Sequence, residues 1–280
     1  MSAAPVIRPL APDEVALALD WAAQEGWNPG LRDADAFFAQ DAEGFLGLFV
    51  EGALAVTISA VRYEGGFGFI GFYICRPDLR GQGLGLQLWN AAMARLDGLT
   101  VGLDGVVAQQ ANYARSGFQL AHRNIRYGGP TPQGAAAAGI ETVGPSLLEA
   151  VAAYDRDIFR FSRPAFLAHW LNPPQGRALA IRKAGTLRGY GLIRRCREGF
   201  KVGPLFAETA DEARALFLAL AQNAAGAQIF LDVPEPNGAG RALAEAMGLS
   251  PVFETARMYR GAAPDLPLSR IFGITTFELG

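Results

Sequence analysis

The 280-residue sequence predicts an α/β (α+β) protein of two tandem domains, each a mixed, mostly antiparallel twisted sheet flanked by helices. Three observations predict it. Apolar runs of strand length are separated by tight Gly-containing turns, helical spacings of apolar residues intervene, and local patterns of the first half return in the second.

Taken in order, Pro12-Asp13-Glu14 opens a first helix, since Pro needs no amide partner in the first turn and carboxylates suit the positive end of the helix dipole. Gly26 stops it, and a short helix is expected over 33–39. Apolar runs at 45–50, 54–61 and 67–75 are separated by Glu51-Gly52 and Glu64-Gly65-Gly66, which reads as strands joined by hairpin turns. After a glycine-rich turn comes a helix whose buried stripe is expected at Leu86, Trp89, Met93 and Leu96. A strand over 100–106, a short helix over 110–116 and a closing hairpin over 118–127 complete the half. Gly128-Gly129-Pro130 through Gly139, with four alanines inside it, reads as a linker, because paired Gly and Pro interrupt regular structure. The expected division is 1–129, a linker over 130–140, and 141–280.

The second half repeats markers of the first. Leu103-Asp104-Gly105-Val106 is echoed by Leu231-Asp232-Val233-Pro234, Gly117-Phe118 by Gly248-Leu249, and Arg126-Tyr127-Gly128 by Met258-Tyr259-Arg260-Gly261. A duplicated fold explains the shared order of these markers.

The composition excludes several functions. A formal charge of −2 gives no broad basic field, so neither nucleic acid nor an anionic membrane is an expected partner. Two cysteines, Cys75 and Cys196, and two isolated histidines make neither a disulfide framework nor a zinc site, so no metal is expected. The N-terminal segment lacks the basic-then-apolar pattern of a secretory signal, and no apolar run reaches spanning length. A cytoplasmic protein, monomeric or homodimeric, is the expectation.

The sharpest local signal runs from Phe72 to Gly85, ending Arg80-Gly81-Gln82-Gly83-Leu84-Gly85. An apolar strand ends, Pro77 turns the chain, and glycines open a helix. A helix start presents unpaired N–H groups and a positive dipole end, and glycines keep no side chain between them and a phosphate. Arg80 adds a cation. The sequence lacks the Gly-Lys-Ser/Thr ending of a nucleoside triphosphate loop, and the turn follows an antiparallel meander rather than opening a parallel unit. The pattern reads as a pyrophosphate cradle.

This segment resembles the Arg/Gln-x-x-Gly-x-Gly/Ala signature of the GNAT superfamily of N-acetyltransferases. The element order from residue 5 to about 128 is similar to that fold, and the second half resembles a divergent copy. Glu25-Gly26-Trp27-Asn28-Pro29-Gly30 and Thr275-Thr276-Phe277-Glu278-Leu279-Gly280 resemble a two-domain subgroup. The resemblance implies acetyl-CoA as co-substrate, with its pyrophosphate on Gly81, Gln82, Gly83, Leu84, Gly85 and Leu86. It implies a pantetheine arm paired with the backbone of Tyr73, Ile74 and Cys75, the Cys75 N–H near the thioester carbonyl, and Tyr113 as general acid. The family often has an Asn seven residues before that Tyr, where this chain has Val106.

Acetyl transfer to an amine needs a neutral amine, a donor for the tetrahedral oxyanion and a proton for the departing thiolate. A tyrosine, with a pKa of about 10, stays protonated at neutral pH and can supply that proton. The proton acceptor has three candidates. Asp104 precedes Tyr113 on a strand, but its Asp-Gly context and its echo at Asp232 favour a structural use. Glu64 lies in a hairpin turn, and a water chain is the third option. Cys75 ends an apolar strand with no histidine nearby in sequence, which reads as structural burial rather than a nucleophile.

In the second half the place of the glycine-rich turn is taken by 204–212, whose Glu208, Asp211 and Glu212 would repel a pyrophosphate. That half is expected to bind no CoA. Arg160, Phe161, Arg163 and Trp170 are expected to pack the domain interface, and Arg194, Arg195 and Arg197 to form a solvated strand edge. The acceptor is expected to be a small-molecule primary amine or amino acid. A peptide or protein lysine, a longer acyl donor, or a CoA sensor without turnover are the alternatives.

Overall fold

The computed structural model describes residues 4–134, 139–224 and 226–280. β1 (Val6–Pro9) is followed by α1 (Pro12–Gln24), α2 (Asp33–Gln40) and the meander β2 (Phe45–Val50), β3 (Ala53–Tyr63) and β4 (Phe67–Cys75). The glycine-rich turn leads into α3 (Leu84–Arg95), β5 (Thr100–Val106), α4 (Gln110–Arg115) and β6 (Gln119–Pro130). The second half contains β7 (Ile140–Thr142), α5 (Leu148–Phe159), α6 (Pro164–Trp170), β8 (Gly176–Lys183), β9 (Thr186–Arg195) and β10 (Phe200–Ala207). It continues with α7 (Ala210–Ala221), β11 (Gln228–Pro234), α8 (Gly238–Ala246), β12 (Ser250–Arg260) and β13 (Ile271–Gly273).

All the described strands join one sheet, ordered β1-β2-β3-β4-β5-β12-β6-β11-β10-β9-β8-β7, with β13 paired to β10. The last long strand of each half has changed places. β12 lies against β5 of the first half, β6 lies against β11 of the second, and β6 and β12 pair with each other at the centre. A cut at the middle of the chain therefore does not divide the sheet.

Two buried ion pairs sit at equivalent points of this exchange. Asp104 on β5 stands opposite Arg257 on β12, and Asp232 on β11 stands opposite Arg126 on β6. Each is bidentate: Arg257 Nε donates to Asp104 Oδ1 at 2.8 Å, and Arg126 donates to both Asp232 oxygens at 2.7 and 2.8 Å. A one-residue slip would bury a guanidinium without its carboxylate, so these pairs specify register.

An aromatic core joins the halves. Phe37 stacks on Trp170 with centroids 5.8 Å apart, and Phe67 stacks on Phe161 at 4.2 Å. Arg163 is buried and pairs with Asp155 at 2.7 Å. These contacts bear out interface packing for Phe161 and Trp170; Arg163 is buried on Asp155 and Thr275 of its own half, and Arg160 stays exposed.

Four sequence expectations are corrected. The closing hairpin over 118–127 is a single strand, because β6 spans the sheet between β12 and β11. Gly128, Gly129 and Pro130 are the end of that strand rather than linker; a Cβ at Gly128 would lie 2.8 Å from the Phe230 ring, so glycine serves close packing there. The four alanines of the expected linker lie outside the described residues. Trp89 and Leu96 of the expected stripe are buried, but Leu86 is 62% exposed; within α3 the core face is Leu84, Leu88, Trp89 and Ala92, which repeat at three- and four-residue spacing on the side away from Leu86. Arg194 is not on a solvated edge: β9 is interior to the sheet, and Arg194 is buried against Asp33 at 2.9 Å and over Trp170.

Candidate active site

β4 and β5 pair in parallel from Phe67↔Thr100 to Ile70↔Leu103 and no further. Just past that point β4 bulges. Phe72 takes φ 48°, the register with β3 shifts, and Thr57 Oγ1 donates to the Phe72 carbonyl at 2.8 Å. A non-glycine residue in this region costs roughly 1–3 kcal/mol and persists only where its surroundings hold it. The bulge ends the ladder, so the backbone of Tyr73, Ile74 and Cys75 has no strand partner on the β5 side.

The glycine-rich turn closes the same end of β4. Gly81 and Gly83 both have φ 78°, with open space where a Cβ would project. Gly83 is the N-cap of α3, no side chain caps that helix, and no acidic residue lies in its first turn. Its leading N–H groups thus face a site without a competing carboxylate. Arg80 is placed differently from a free cation beside them: Nε donates to the Cys75 carbonyl at 3.0 Å and Nη2 to Glu25. It ties the turn to the end of β4.

A cavity of about 590 Å³ runs from this turn along the wedge between β4 and β5. This is ample for a cofactor arm and a small ligand. Of the residues singled out in the sequence, Tyr73, Ile74, Cys75, Arg80, Gly81, Gly83, Leu84, Gly85, Leu86, Asp104 and Tyr113 line it; Gln82 is exposed and does not.

Tyr113 comes from α4, and its ring lies over Gly105, where a Cβ would be 2.2 Å from Cε2; any side chain there would displace the phenol. Burial, then the neighbouring Tyr73, push its pKa up to about 12, so it is a proton donor at neutral pH. Cys75 is half-buried, and burial raises its thiol, the opposite of an activated nucleophile.

Asp104 as base is corrected. Its side chain has no solvent exposure, Arg257 holds both its oxygens, and Asn124 Nδ2 donates to Oδ1 at 2.7 Å. Burial raises its carboxyl against the pull of Arg257. Three of its acceptor positions are taken, two by Arg257 of β12 and one by Asn124 of β6.

Sequence reading missed what closes the cavity from the other side. Phe253 and Thr255 of β12, and Phe277 and Glu278 after β13, form that wall, with Trp27 and Glu25 at the end of α1. The motifs around Trp27 and Glu278 were visible as patterns, but nothing local said that residues 250 positions apart share a cavity.

The second half holds the matching wedge, already filled. β10 and β11 pair in parallel only from Phe200↔Ile229 to Val202↔Leu231, and beyond that β13 lies against β10 and the Ile274 N–H donates to the Asp232 carbonyl at 2.8 Å. The helix beyond, α7, is capped by Thr209, whose side chain accepts from the Glu212 N–H.

Comparison with known proteins agrees with this geometry. The model of the acetyltransferase (GNAT) family matches residues 14–118, and that of an acetyltransferase (GNAT) domain matches 151–273. A curated relative, the holothin acyltransferase of Pseudoalteromonas sp. (strain SANK 73390), is 32% identical over 275 residues, covering 98% of this chain and 94% of its own. The chain belongs to the GNAT acetyltransferase family. It is a GNAT acyltransferase with two GNAT domains in tandem. Among solved structures, a candidate acetyltransferase of Pyrococcus horikoshii superposes with a TM-score of 0.83 at 20% identity, covering 99% of this chain and 96% of that one. A tandem GNAT protein from the clavulanic acid biosynthesis pathway superposes at 0.62 with 14% identity, covering 93% and 100%. Both support the fold. Among the described residues no helix is long and apolar enough to cross a membrane, and no cluster of ligating side chains is present.

Proposed function

We propose that this GNAT protein moves an acetyl group from acetyl-CoA to the primary amine of a small molecule, by direct attack in a ternary complex. One observation carries the reading: the open wedge of β4, the uncapped glycine-rich start of α3 and the roofed cavity are continuous. The residues present fit the co-substrate. Amides of 81–86 would hold its pyrophosphate, and the unpartnered edge at 73–75 its extended arm. Acetyl-CoA supplies the thioester. The Cys75 N–H would polarise the carbonyl, and Tyr113 would protonate the departing sulfur. The roof of Phe253 and Phe277 leaves a confined chamber, which favours a small amine over a lysine on a folded protein.

The relative's name makes holothin the first acceptor to try. Calorimetry with CoA and thiol release from acetyl-CoA plus holothin test the reading together. Saturable binding between about 1 µM and 1 mM is expected, as is acceptor-dependent thiol release. Tyr113→Phe should lower turnover about 100-fold with CoA affinity unchanged. No heat with millimolar CoA would overturn the assignment, and preference for a longer acyl-CoA would revise the donor.

A further inference from the structure

We infer that Glu278 is the proton acceptor for the incoming amine, so that the last turns of the second half complete the catalytic site of the first; this rests on the acyl-transfer reading above. Glu278 is 3% exposed and lines the cavity. Its Oε2 accepts from the Thr276 hydroxyl, whose oxygen accepts from the Glu278 N–H at 2.8 Å. Among the described residues no group donates to Oε1. A buried carboxylate oxygen without a donor is costly, and its place on the cavity wall marks where a ligand N–H belongs. Thr255 Oγ1, 2% exposed on the same wall, also has no hydrogen-bond partner among the described residues.

The position is held rigidly. Tyr63 Oη donates to the Leu279 carbonyl at 2.7 Å, Arg163 to Thr275 Oγ1 at 2.9 Å, and Asn237 to the Ile271 carbonyl at 2.9 Å. The Glu278 carbonyl packs on Gly71, where a Cβ would lie 2.3 Å from it, next to the bulged Phe72. Glu278 is thus fastened beside the bulge that opens the wedge. Behind it lie Arg126 of β6, Arg194 of β9 and Lys201 of β10, which feel its charge. Asp232 of β11 and Asp33 of α2 pair with the two arginines, and Lys201 donates to the Asn28 carbonyl. Three buried cations are matched by three carboxylates only when Glu278 is counted.

The step balances. As the amine nitrogen bonds to the thioester carbon, Glu278 takes one N–H proton; the C–S bond breaks and the sulfur takes one proton from Tyr113. Transfer from Glu278 back to Tyr113 through solvent restores both groups. An amine that arrives as ammonium first loses one further proton to solvent. The aromatic sides at Trp27, Phe253 and Phe277 suit an amine on a flat framework.

Glu278→Gln keeps size and backbone contacts and tests the assignment. With acetyl-CoA and holothin, or with water alone as acceptor, thiol release should fall about 100-fold. CoA affinity by calorimetry should stay near wild type, while the melting temperature should fall because the buried cations lose a carboxylate, so turnover is scored per folded protein. Glu278→Asp should recover part of the loss. Undiminished thiol release from a folded, CoA-binding Glu278→Gln protein overturns the proposal. Absence of CoA binding in the wild type instead fails the acyl-transfer reading itself.

Discussion

The two halves carry the same wedge and use it in opposite ways. In the first, the parallel ladder stops at Ile70↔Leu103, and the space beyond is cavity. In the second it stops at Val202↔Leu231, and the space beyond is β13. The helix starts diverge to match. Gly83 leaves α3 without a side-chain cap, whereas Thr209 caps α7 and Glu212 is paired with Arg188 at 2.9 Å. A helix start can bind an external anion or satisfy its own amides; α7 has taken the second option, and α3 is left without a side-chain cap. The sealed half is not idle, since the segment leaving its filled wedge forms a wall of the open one.

The buried pairs at the strand exchange offer the largest expected effects. Asp104→Asn and Asp232→Asn should each cost about 3–5 kcal/mol, because each leaves an arginine buried without its charge partner. Equal losses in denaturant midpoint would confirm a shared structural role. A loss of turnover in Asp104→Asn well beyond its loss of folded protein would return it to the chemistry. The two carboxyls are not identical. Burial raises both, but around Asp232 the cations Arg126, Lys201 and Arg194 outweigh it and the carboxyl falls below its ordinary range. Asp104 has Arg257 and Asn124, faces the charge of Asp232, and stays above its own.

The helix starts come next. Gly83→Glu brings a carboxylate and a strained φ to the start of α3, and CoA affinity should drop at least 100-fold by calorimetry with a smaller change in melting temperature. Thr209→Ala at the start of α7 should leave CoA affinity unchanged and cost about 1 kcal/mol of stability. If Thr209→Ala weakened CoA binding, the division of labour between the helices would fail.

The last effect appears only as pH falls. His122 stands opposite Arg257 in the β6–β12 register, where Phe253 stands opposite Arg126. Burial, then Arg257, pull His122 down to about 3. An unfolded histidine titrates near 6.5. Between about pH 6.5 and 3 the unfolded chain binds one more proton, so this contribution is full above pH 6.5 and is lost as pH falls toward 3. His122→Gln should flatten the fall in denaturant midpoint over that window.

Much of the first half was legible because its signals are local. The strands over 45–50, 67–75 and 100–106 declare themselves by apolar runs between turn residues, and β2, β4 and β5 occupy those spans. The glycine-rich turn is one short window in which Gly81, Gly83 and Gly85 alternate with other residues, and Tyr113 lies on the short helix α4. Local reasoning failed wherever a residue's partner lies far along the chain. Gly128-Gly129-Pro130 looks like a break only until β11 and β12 are placed beside it. Arg194 looks like solvated charge only until Asp33 comes from 161 positions away. The Asp104 and Asp232 echo pointed toward a structural use, but the expected use was an Asp-Gly turn, whereas both residues lie inside strands and pair with arginines on the exchanged strands.

By itself, then, the order of side chains determined the family, the duplicated α/β plan, the glycine-rich helix start and the acid candidate, because each depends on spacing within one or two elements. Tertiary structure alone decided which wedge stays open, that β6 and β12 change places, and that Glu278 meets a chamber begun two hundred residues earlier. Those outcomes depend on strand pairing across the sheet and on burial of charge, and neither is encoded in any short window of the chain.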